Sequence, residues 1–121
     1  MKITTIGLYL VSQWAIPKLE AVSKADSSSK PSLIVTSGLL HRDPWPTFFS
    51  LSLAKTAQRN LVESLHKAYN EDGVHIGLVL VGGIVSPDAK VVNPPAIAKK
   101  VWDFFDDEAE KNTLEVEMHE P

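Results

Sequence analysis

Apolar side chains recur at helical spacing through the first part of the chain: Ile3, Ile6, Leu10 and Trp14, then Leu19 and Val22. Steps of three and four residues predict a long helix, and Pro17, which has no N–H to give the preceding turn, predicts a kink in it. Nearly every side of its first half is apolar, so that half is expected to be covered on two faces. The polar run KADSSSKPS (24–32) breaks the pattern. LIVTSG (33–38) is a short β-branched run closed by glycine, which predicts a strand buried on both faces.

HRDPWP (41–46) is a loop, and the helical pattern resumes from about Leu51 to Asn70, with Gly73 as the stop. HIGLVLVGG (75–83) predicts a second buried strand, and the proline-rich IVSPDAKVVNPP a loop. Asn93 is placed to cap a helix opened by Pro94 and Pro95, with Ile97, Val101, Phe104 and Phe105 on its apolar side. TLEVEM (113–118) alternates strictly, so Leu114, Val116 and Met118 are expected to face inward on a half-exposed strand. Helices alternating with apolar strands call for a parallel sheet with right-handed crossovers. The predicted class is α/β: about three parallel strands alternating with three helices.

The chain is 121 residues long, which suits one domain spanning 1–121. Its formal net charge of −3 offers no basic face for phosphates, so no nucleic-acid partner is expected. The charge is uneven: from Asp103 onward eight acids stand against Lys111 alone, which makes 106–121 an acidic tail with an edge strand in it. The absence of cysteine removes disulfides and thiolate chemistry and fits a reducing, cytoplasmic setting. No apolar run has the length of a membrane span, and no membrane partner is expected. The opening MKITTIGLYLVSQWAIP has the lysine and apolar run of a leader but no small-x-small cleavage site, and it reads as a helix.

GLYLVSQWAIPKL on a long helix, then LIVTSG, then a serine-flecked approach to KTAQRNLVESL, then GVHIGLVLVGGIV resemble the second half of a short-chain dehydrogenase/reductase over most of residues 3–105. The resemblance implies a Rossmann-like fold without the glycine-rich turn that holds a dinucleotide pyrophosphate. It also implies a tyrosine and lysine one turn apart on the second helix, the phenol passing a proton to a carbonyl and the lysine lowering its pKa. Lys55 matches the lysine, but Leu51 stands at the tyrosine position, Gly38 at that of the orienting serine, with Ser37 one residue off, and Thr4 at that of the first helix's asparagine. The Pro-Gly beside the nicotinamide becomes Gly82-Gly83, and the carboxamide-binding threonine becomes Pro87.

Only Lys55 survives as a candidate catalytic residue. The expectation is therefore a truncated, degenerate relative without redox activity, acting by self-association or by binding a partner or ligand. No cofactor is expected for the isolated chain, with NAD or NADP if the missing half is supplied, which would make it part of an oxidoreductase. A non-redox isomerase or cyclase using Lys55 or the His41–Asp43 loop is a further alternative. Ser37, His41, Trp45, Phe48 and Gly83 are the candidate pocket residues for a small apolar ligand. His66, His75 and His119 show no metal-ligand spacing, and no metal is expected. With the neighbouring strands absent, the uncharged edge LIVTS invites pairing. A homo-oligomer, or pairing with a full-length relative, is expected.

Overall fold

The computed structural model describes residues 2–121. A π-helical turn, Lys2–Ile6, leads into α1 (Gly7–Ala25). Then follow β1 (Ser32–Ser37), α2 (Phe49–Tyr69), β2 (His75–Gly82), α3 (Pro94–Asp106) and β3 (Glu115–His119). The three strands form one parallel sheet in the order β1-β2-β3. The α/β class and its alternation of helices and strands are as predicted from the sequence.

β2 is the centre of the molecule. From His75 to Leu80 every residue is buried, because β2 alone has a strand on each side and helices over both faces. One face of the sheet carries Ile76, Leu78 and Leu80, which pack with Ile16 of α1 and Val62 of α2, and with Leu33, Val35 and Leu65 around them. On the other face Phe104 of α3 is buried over Gly77, where a Cβ would come within 2.7 Å of the ring. Glycine is needed there for that close approach, and burying the ring contributes about 2 kcal/mol. The His75 imidazole meets the same ring edge-on at 4.6 Å, and its Nε2 lies 3.2 Å from the Thr113 carbonyl.

Local signals explain the boundaries. Gly73 takes φ +81° and donates its N–H to the Asn70 carbonyl, ending the turn after α2 as its position in the sequence predicts. Asn93 Oδ1 accepts from the Ala96 N–H at 2.9 Å, and Pro94 and Pro95 open α3 without wasting a donor. The loop from Gly83 to Asn93 is tied back by Glu120, whose carboxylate accepts from the N–H groups of Lys90, Val91 and Val92.

Three expectations change. β1 is not buried on both faces: its residues are half-buried and Thr36 is exposed, because β1 is the edge of the sheet with β2 as its one partner. α1 is covered on one face, through Leu8, Ser12, Ile16 and Leu19, whereas the stripe Ile3, Ile6, Leu10 and Trp14 points outward, with Ile3 92% and Trp14 67% exposed. On β3 the alternation is real but its polar side is not the solvent side. Glu115 and Glu117 pair in register with Leu78 and Leu80, so they face α2, where arginines meet them.

Candidate functional site

Beyond the carboxyl ends of the strands, where open α/β sheets bind ligands, the chain forms a cleft of about 520 Å³. Its floor is Val81, Gly82 and Gly83 at the end of β2. One wall is the segment after β1, from Gly38 through Trp45 and Phe48 to Leu51 at the start of α2. The opposite wall is His119 and Glu120 at the end of β3. Trp45 and Phe48 stack, with ring centroids 5.8 Å apart and planes inclined by 25°. A short 3₁₀ turn, Pro46–Phe48, sets that stacking by bringing the Phe48 N–H to the Trp45 carbonyl.

Of the residues picked out in the sequence, Gly38, Trp45, Phe48, Leu51 and Gly83 come together in this cleft, while Ser37, His41, Thr4 and Lys55 are not among its lining residues. Lys55 Nζ instead donates to Gln58 Oε1 at 3.4 Å, and Gln58 Nε2 donates to the Thr4 carbonyl at 3.1 Å. This buried amide therefore links α2 to the turn before α1, with Thr5 Oγ1 adding a bond to the Ala54 carbonyl at 3.0 Å.

The His41–Asp43 run splits in two. Asp43 lines the cleft, whereas His41 belongs to a shallow hollow of about 450 Å³ with Arg59, Asn60 and Glu115. Burial, then the charges of Arg59 and Arg42, hold the His41 pKa below its ordinary value. His41 Nδ1 has no partner among the described residues, and neither has the buried Ser52 hydroxyl.

Sequence reasoning missed the carboxylate that organises the cleft. Glu117 accepts from Arg42 at one oxygen and meets His119 Nε2 at 2.7 Å with the other. The Arg42 hydrogen bond, then that of His119, pulls the Glu117 pKa down to about 2, so it is ionised throughout the neutral range. The chain of charges continues from Arg42 to Glu115, from Glu115 to Arg59 at 3.3 Å, and from Arg59 to Glu63, joining the loop, β3 and α2. The strand predicted from the sequence stops at Met118; β3 runs on to His119, which puts it two residues from Glu117 on the same face. Gly82 makes room for the histidine, since a Cβ there would lie 2.8 Å from His119 Nδ1.

Another hollow, about 680 Å³, lies at the opposite ends of the strands, and its lining is mostly polar, with Ser27–Ser29, Lys30, Glu71 and Lys111 beside His75 and Phe105. Among the described residues no group of histidines and carboxylates is arranged to hold a metal ion, and no helix is long and apolar enough to cross a membrane.

No family model matches the chain, and no curated protein does. The fold is similar to that of a short-chain oxidoreductase from Pseudomonas aeruginosa PAO1, solved with NADPH bound and described as containing an atypical catalytic center. The TM-score is 0.68 at 18% identity, over 89% of this chain and 49% of the other, so the chain spans about half the length of that protein. The likeness establishes a fold shared with half of a short-chain oxidoreductase.

Proposed function

We propose that the chain is a non-redox binding protein on half of a short-chain oxidoreductase fold, associating with a second copy of itself and holding a small apolar ligand in the cleft. The observation that carries the reading is the outward apolar surface. Ile3 and Ile6 on the π-helical turn, Leu10 and Trp14 on α1, and Phe49 and Leu53 on α2 are exposed, and hydrogen bonds join that turn to α2. Exposed apolar side chains gathered on adjoining elements support an interaction site. Size exclusion with light scattering on the purified chain is expected to give a discrete dimer or tetramer, and Leu10→Glu with Trp14→Glu to lower its mass. A clean monomer at high concentration would overturn the associating role.

The non-redox part rests on Leu51, which lines the cleft where the resemblance places the proton-donating tyrosine, and on Lys55, which is engaged with Gln58. A second reading, favoured by the fold shared with an NADPH-bound protein, is that this chain supplies half of an oxidoreductase completed by another chain. Titrating NADPH against the chain mixed with a coenzyme-binding first half of such a fold, with that half alone as the reference, separates the two. The first reading expects the same nicotinamide fluorescence as the reference, and the second expects a further saturable change that Lys55→Met weakens.

A further inference from the structure

The cleft is apolar along its Trp45, Phe48, Leu39 and Leu51 side and carries an oriented imidazole opposite. The orientation follows from Glu117. An ionised carboxylate only accepts hydrogen bonds, so the imidazole nitrogen facing it, Nε2 at 2.7 Å, must carry the proton. In the neutral ring Nδ1 is then left as a lone-pair acceptor. That atom sits against Gly82 on the cleft floor, and the side chain is half exposed, so a ligand hydroxyl takes the place of water there. Arg42, held by the other oxygen of Glu117, belongs to the segment that carries Trp45, so one carboxylate sets both the imidazole and the aromatic wall.

We infer that the cleft takes a flat aromatic molecule bearing a hydroxyl group, its ring against Trp45 and Phe48 and its hydroxyl donating to His119 Nδ1, with Glu117 as the positioning residue. This deepens the ligand-binding part of the proposed function and rests on it. The chemistry selects a donor: an acceptor-only ligand would meet a lone pair with a lone pair, and a bare hydrocarbon would leave Nδ1 to water on a side chain that is 53% exposed. Asp43 and Glu120, the acids of the lining, disfavour an anionic ligand and reinforce the preference for a neutral hydroxyl.

The test uses three probes on the full chain: 1-naphthol, 1-methoxynaphthalene and naphthalene, with affinities from calorimetry. 1-Naphthol is expected to bind at least about tenfold more tightly than the methoxy ether, a difference of about 1.4 kcal/mol. In His119→Phe the ratio should fall to near one with naphthalene unaffected, and in Glu117→Gln it should shrink while the histidine remains. Equal binding of naphthol and its ether, or an unchanged ratio in His119→Phe, overturns the role of His119 and leaves the cleft standing. Binding of none of the three overturns the cleft as a ligand site too. Nitrogen-15 spectra of the imidazole in the unaltered chain give a check that no variant's folding can spoil: a proton on Nδ1 of the neutral His119 ring would overturn the assignment.

Discussion

The two edges of the sheet are built differently. β3 lies on β2 with glutamates at alternate positions, and those glutamates are held by Arg42 and Arg59. β1 lies on the other side of β2 with no charged residue between Ser32 and Ser37, and among the described residues no strand pairs the outer row of N–H and C=O groups of either edge, so the edges differ in their side chains. Charged side chains on an edge strand discourage pairing with other chains, and bare apolar edges invite it. One edge is finished and the other is available, and the open one is continuous in sequence with the cleft wall that starts at Gly38.

The largest effect expected concerns what the two edges share. Leu78→Ala, in the fully buried centre of β2, should cost about 3 kcal/mol by denaturant unfolding, whereas Val35→Ala on the half-buried β1 should cost about 1. Equal costs would mean that the β1 edge is covered in solution. Glu117→Gln, at the finished edge, should cost only about 0.5–1 kcal/mol, because its partners are partly exposed. Its acid dependence is more telling. Since the folded pKa lies below the ordinary 4.5, the stabilisation is complete above that value and is lost as pH falls from there to about 2. The variant should lose that segment of the acid-unfolding slope. Thr36→Lys, on the open edge, should change stability by less than about 0.5 kcal/mol while reducing any association through the strand, read by light scattering. Association that survives Thr36→Lys but not Leu10→Glu would assign it to the helices.

Elements whose environment is set by their own residues were legible in the sequence. β2 is a continuous apolar run ended by glycines, and Asn93 with its two prolines announces α3. What a single pattern does not carry is whether a neighbour exists. LIVTS reads as doubly buried because that is what such runs are in a complete parallel sheet, and the all-apolar start of α1 reads as doubly covered for the same reason. The glutamates of β3 were misplaced because an acid is assumed to face water, and the arginines that receive them come from residues 42 and 59, far away in sequence. The cleft was half legible. Trp45, Phe48 and Gly83 stand out as types, whereas His119 enters only through the register of β3 on β2.

The hydrogen bonds from Lys90, Val91 and Val92 to Glu120 span 28 to 30 positions of chain. The loop before α3 thus cannot gain them until β3 has zipped onto β2, which places that loop among the last parts of the molecule to order and the first to open. Amide exchange at Lys90–Val92 would then be a clock for the docking of β3.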